Sequence, residues 1–266
     1  MRKYFLIFAT VSIAFISCNT SNQPLNAENQ TAEIETQDYL INATLWYQHS
    51  AEMRACYYQA FNWAKVMLRQ NLNSDLDNLI PAVVLDIDET LLDNSPYNGF
   101  MVLENKPYTS EDWKRWTVKA QAQALPGAID FLDYANSLGV EIFYVSNRML
   151  DELSQTIANM DSLGFPEIRA DHFFLKTDSS NKRERRNAIV ENYSIILFVG
   201  DNLGDFSNDF DERTTNYAFD AVEEHKEMFG SRYIILPNPM YGSWEKGVLV
   251  GDGSKTQQRK NHIIGF

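Results

Sequence analysis

Two aspartates, Asp86 and Asp88, stand one residue apart in the run Asp86-Ile87-Asp88-Glu89-Thr90, immediately after the apolar segment Pro81-Ala82-Val83-Val84-Leu85. A second acidic pair, Asp201 and Asp205 within Gly200-Asp201-Asn202-Leu203-Gly204-Asp205, follows Ile195-Ile196-Leu197-Phe198-Val199. Ser146-Asn147-Arg148 and Lys182 come between them. Phosphoryl transfer from a monoester needs a nucleophile, an acid for the leaving alkoxide, and positive charge around the transferring oxygens. Each has a candidate here. Asp86 would attack phosphorus to give an aspartyl-phosphate. Asp88 would protonate the leaving oxygen and then activate the water that releases phosphate. Acidic pH suits such a site, because Asp88 must carry a proton to act as the acid.

The carboxylates of Asp86 and Asp201, with the backbone carbonyl of Asp88, would hold a Mg²⁺ that keeps several waters, with Asp205 and Thr90 supporting from behind. Ser146, Asn147 and Lys182 would bind phosphoryl oxygens. Lys182 would also neutralise carboxylates that otherwise repel one another and resist ionisation. Lys176 lies nearby as an alternative lysine.

Short β-branched apolar runs of this kind read as buried parallel strands. Carboxylates just past them sit at the carboxyl edge of an open sheet, where α/β folds bind ligands. Strand and helix signals alternate: strand 82–86, helix after Pro126-Gly127, strand 140–145, helix from about Asp151, strand 172–175, helix from about Asn181, strand 195–199, and strand 233–236. The alternation predicts βαβ units and a parallel sheet. Residues 38–71 lack Pro and Gly. Leu45, Trp46, Ala60, Phe61, Trp63, Ala64 and Leu68 recur there with rough helical spacing, predicting one long helix or two abutting ones. The segment 93–125 breaks the alternation and carries Tyr97, Phe100, Tyr108, Trp113 and Trp116. So many aromatics predict a short cap or a wall of the site rather than a plain surface loop.

The 266-residue chain has a formal net charge of −13, or −15 without the first seventeen residues, which contribute Arg2 and Lys3 but no acid. A broad nucleic-acid-binding face is excluded on this balance, whereas a small phosphorylated substrate in one metal-lined pocket is not. Arg2 and Lys3, the apolar run Tyr4 to Ile16, and Ser17-Cys18 read as a signal peptide (1–17) with a lipid-attachment cysteine at Cys18. Phe15 stands where such motifs usually carry Leu. Residues 18–37 then read as a polar tether and 38–266 as the folded domain. If Cys18 is acylated, Cys56 has no disulfide partner and reads as a buried structural thiol. The four histidines are scattered, which argues against a histidine-based phosphatase or His-metal site.

These motifs resemble the haloacid dehalogenase-type phosphatases, and more closely the class C acid phosphatases of bacterial outer membranes, the lipoprotein 5′-nucleotidase family. The likeness runs through the segment from Asp86 to Tyr97, Phe143 to Arg148, Val199 to Leu203 and Tyr241-Gly242-Ser243-Trp244-Glu245. It covers about residue 40 to the mid-240s. The resemblance implies a Rossmann-like parallel core with a small α-helical domain, Mg²⁺, placement in the bacterial outer membrane, and often a homodimer. It carries the roles of Asp86, Asp88, Ser146, Lys182 and Asp201 onto this chain. It also implies that Trp113 and Tyr241 pack around a nucleoside base, making the expected substrate a nucleoside 5′-monophosphate. The rival expectation is a lipoprotein that binds a phosphorylated ligand with little turnover.

Overall fold

The computed structural model describes residues 36–73 and 79–266. The expected signal peptide, Cys18 and almost all of the expected tether lie outside the described residues. No helix among the described residues is long and apolar enough to cross a membrane.

Five strands make one parallel sheet: β1 (Ile80–Leu85), β4 (Glu141–Met149), β5 (Phe173–Lys176), β6 (Tyr193–Gly200) and β7 (Tyr233–Ile235), in the order β5-β4-β1-β6-β7. Successive residues of β1 face opposite ways. Val83 and Leu85 enter one apolar core with residues of α2 (Ala51–Leu72), α5 (Ala128–Ser137) and α6 (Leu153–Ser162). Ala82 and Val84 enter another with Ile189 of α7 (Arg183–Val190). Both faces of the sheet are therefore covered. This explains why β1 reads as an unbroken apolar run rather than an alternating one. Each such Val or Leu contributes roughly 1.5–3 kcal/mol by burial. The chain leaves β1 for β4 on one side and later returns to β6 on the other, so the end of β1 is a topological switch point.

The N-terminal helical stretch is two helices, α1 (Ile41–His49) and α2, divided at Ser50. The Ser50 hydroxyl accepts the Met53 backbone N–H at 3.0 Å and caps α2. Met53, Tyr57, Phe61, Ala64 and Leu68 line its inward face. That ladder leaves Trp63 exposed, and Leu45 of α1 is exposed as well. The ladder also corrects the reading of Cys56, whose thiol is exposed rather than buried. Position 56 precedes Tyr57 by about 100° of helical turn and so falls off the buried stripe.

The segment 93–125 folds over the carboxyl edge as α3 (Ser95–Leu103) and α4 (Ser110–Thr117), bracketed by the small antiparallel pair β2 (Leu92–Asp93) and β3 (Gln123–Ala124). Thr109 caps α4 by accepting the Asp112 N–H at 3.0 Å. Two short helices, α8 (Phe219–Glu224) and α9 (Lys255–Asn261), complete the C-terminal part.

Candidate active site at the carboxyl edge of the sheet

Register brings the motifs together. Leu85 pairs with Tyr144 on one side and with Val199 on the other, and the Asp86 N–H donates to the Val199 carbonyl at 3.1 Å. Asp86, Ser146 and Asp201 consequently leave three adjacent strands at one edge. The turn after Asp88 needs a left-handed residue, Glu89, with φ +57°. Its carbonyl accepts the Tyr57 hydroxyl of α2, and Tyr47 of α1 hydrogen-bonds that hydroxyl at 2.5 Å. The N-terminal helices thus buttress the loop that carries both aspartates.

Oxygens of Asp86, Asp201 and Asp205 lie within 4.8 Å of one another. The Lys182 ammonium, buried at the start of α7, contacts Asp86 and reaches Asp205 at 2.7 Å. Burial opposes the charge on Lys182, but Asp205 and Asp86 outweigh it and hold the amine above its ordinary range. Burial pushes the Asp86 carboxyl well up; Lys182 counters this, while Asp205, Asp201 and Asp88 add to it. Asp201 is pushed up to about 7, first by burial and then by Asp205, against a 2.8 Å hydrogen bond from Asn238. Thr90 donates to the other Asp201 oxygen at 3.2 Å. One ammonium thus serves three crowded carboxylates. Such an all-oxygen, electron-rich donor set fits a hard divalent cation.

Asp205 was expected to stand behind the cation site, but its carboxylate joins the cluster directly. It turns back beside Gly200, where a Cβ would meet its Oδ2 at 2.3 Å. Its Oδ2 accepts the Asn202 N–H at 2.9 Å. A glycine at 200 is required for that close approach.

Asp88 is set apart from this crowd. Arg148 Nε and Nη2 donate to its Oδ1 at 2.9 and 2.8 Å, and Asn94 Nδ2 donates to the same oxygen at 2.8 Å. The buried Ser146 hydroxyl lies 3.2 Å from Oδ2 and accepts the Arg148 N–H at 3.0 Å. Asn147 is exposed, and its side-chain oxygen accepts from Arg185 at 2.7 Å. Between the two candidate lysines, Lys182 is the one in the cluster; Lys176 ends β5.

The aromatics expected around a base rest on different elements. Trp113 of α4 is half-buried, edge to face with Tyr97 at 5.2 Å, with the Arg148 guanidinium 5.9 Å from its ring centroid. Tyr241, also half-buried, lies in the loop after β7, where Asn238 Oδ1 accepts the Met240 N–H at 3.0 Å and sits 3.4 Å from that of Tyr241.

Several supporting residues escaped the sequence reading, among them Asn94, Asn238 and Arg185. Arg185 follows Lys182 by one helical turn, which is a usable signal. The two asparagines offered none, since each works through a loop whose path only the fold fixes.

A buried carboxylate cluster at the switch point of a parallel sheet, with a helical cap over it, defines the haloacid dehalogenase class of α/β folds. The family model for the acid phosphatases of that superfamily, subfamily IIIB, matches residues 7–244. The chain belongs to that family. Two structures of the class C acid phosphatase from Bacillus anthracis, one with tungstate bound, superpose with TM-scores of 0.81 and 0.80. Identity is 38%, over 86% of this chain and 98% of theirs. Acid phosphatase 1 of Solanum lycopersicum is 29% identical over 163 residues, covering 59% of this chain and 57% of that protein. A stem 31 kDa glycoprotein of Glycine max is also 29% identical, over 167 residues, covering 59% and 58%. The chain thus spans less than three-fifths of the length of these curated relatives.

Proposed function

We propose that this protein hydrolyses small phosphomonoesters, nucleoside 5′-monophosphates in particular, with Mg²⁺ as its cofactor. The observation that carries this reading is three carboxylates gathered around one buried ammonium, two residues from a separately held Asp88. Asp86 forms a bond to phosphorus as the bond to the leaving oxygen breaks, and that oxygen takes a proton from Asp88. Asp88 then accepts a proton from water, whose oxygen bonds to phosphorus as the Asp86 bond breaks. Phosphate leaves and both carboxyl groups return to their starting state.

Lys182 and Ser146 face the transferring oxygens, Lys182 with charge and Ser146 with a hydroxyl. The Asp86 and Asp201 carboxylates and the Asp88 carbonyl would hold the cation, with Asp205 beside them. When bound, it supplies positive charge for the transferring oxygens. Trp113 and Tyr241 supply faces on which a nucleobase stacks, a contact typically worth about 1–3 kcal/mol.

Phosphate release from a panel of nucleoside monophosphates and aryl phosphates, each with Mg²⁺ and with chelator, tests the reading. Turnover that needs Mg²⁺ and favours nucleotides supports it. Tight binding without phosphate release would make the protein a phosphoryl-ligand binder instead.

The protein's address is proposed as the outer membrane, through lipid on Cys18, and its assembly as a homodimer. Cys18→Ser should abolish partitioning into detergent, and an unmodified wild-type Cys18 by mass spectrometry would remove the anchor. Light scattering decides the oligomer.

A further inference from the structure

Asp88 is gripped asymmetrically, and the grip reaches into the cap. Its Oδ1 receives two N–H groups from Arg148 and one from Asn94, whereas its Oδ2 meets the Ser146 hydroxyl. Asn94 is fully buried, and four partners fix its amide, the Leu92 carbonyl accepting from its Nδ2 at 3.3 Å among them. Trp116 Nε1 lies 2.8 Å and Arg148 Nη2 3.4 Å from its Oδ1, and both groups can only donate. The amide oxygen must therefore face them, which turns the amino group onto Asp88. Trp116 belongs to α4, the same cap helix that carries Trp113. Arg148 is anchored from the other side, by α6, and α6 is in turn tied to α4 through the residue that precedes it. Arg148 Nη1 donates to Thr156 at 3.2 Å, and the neighbouring Glu152 accepts Thr117 of α4 at 2.5 Å.

We infer that Trp116, acting through Asn94 and together with Arg148, is a positioning residue for proton transfer by Asp88. The network pins Oδ1, so Oδ2 is the oxygen that gives its proton to the leaving alkoxide and later takes one from water. Trp116 thereby serves the chemistry without touching the substrate, while Trp113, one turn earlier on α4, is the face offered to a base. A fully satisfied buried network of this kind holds one geometry, and losing one member frees the rest. The inference rests on the phosphatase reading above.

Trp116→Phe keeps an aromatic ring on α4 and removes the N–H together with the five-membered part of the indole. The test compares kcat/KM, which reports steps through leaving-group departure, on a simple alkyl phosphate and on p-nitrophenyl phosphate. An alkoxide needs the Asp88 proton to leave; nitrophenolate leaves without it. The variant should lose at least about tenfold more on the alkyl than on the aryl substrate, a fraction of the 10²–10⁴ a general acid contributes. Asn94→Asp, which sets a carboxylate against Asp88, should show the same bias and serves if Trp116→Phe does not fold. Equal losses on both substrates, or none on either, overturn the inference. A wild-type protein that releases phosphate from neither substrate fails at the parent reading, and the inference falls with it.

Discussion

Three carboxylates share one ammonium at the ends of β1 and β6, whereas two residues beyond Asp86 a single carboxylate receives four donors. Asp86, Asp201 and Asp205 are crowded and short of positive charge, and burial raises the first two. Asp88 is paired with Arg148 and hydrogen-bonded by Asn94 and Ser146. The first half of the site carries more acid than base to balance it; the second is paired as it folds. Neutralising an acid should therefore have opposite effects on stability in the two halves.

The largest effect is expected from Asp86→Asn, which should abolish turnover by removing the proposed nucleophile while keeping side-chain volume. Because it relieves crowding, its melting temperature without metal should equal or exceed that of the wild type. Near-normal phosphate release would overturn the assignment of Asp86. Asp88→Asn should slow turnover of alkyl phosphates by about 10²–10⁴-fold. It should also melt lower than the wild type, since it leaves the Arg148 charge buried without its counter-ion. If both variants melt alike, the contrast between the halves is wrong.

A smaller effect is expected from the aromatics. Trp113→Ala or Tyr241→Ala should lower nucleotide kcat/KM by roughly 5- to 150-fold, the equivalent of about 1–3 kcal/mol of stacking. A substrate without a base should change little. Equal losses on both would mean that Trp113 supports the cap by packing on Tyr97 rather than holding a base.

The same contrast governs what was legible in the sequence. Strand-end motifs announce themselves, because an apolar β-branched run followed by acids is a local pattern. The core strands and the gathering of Asp86 and Asp201 follow from it, whereas Lys182, at the start of α7, is told from Lys176 only by the fold. The other half depends on long-range packing. Asn94, Arg148 and Trp116 meet only because the cap folds back over β4, and no spacing rule records that closure. Cys56 misled for a related reason: a small thiol in an amphipathic helix is placed by its phase against Tyr57, and the sequence leaves that phase open by one position.

The smallest effect, and the one that addresses the crowded half directly, is the linkage between protons and metal. Burial and Asp205 push Asp201 up to about 7 in the folded chain, from an ordinary 3.8. Between about pH 4 and 7 the folded state therefore binds the extra proton, and stability without metal falls as pH rises through that window. A divalent cation competes for the same oxygen, so its binding should release protons below about pH 7 and strengthen as pH rises. At tenfold excess over Kd, the cation should add about 1.4 kcal/mol. For a chain this size that is about 3–6 °C in Tm. At a fixed Mg²⁺ concentration the shift should be larger at pH 8 than at pH 5, and Asp201→Asn should remove most of it. Calorimetry at pH 6 in two buffers of different ionisation enthalpy counts the released protons. A shift independent of pH, with no proton release, would place the cation away from Asp201 and leave the crowding of this half without its expected partner.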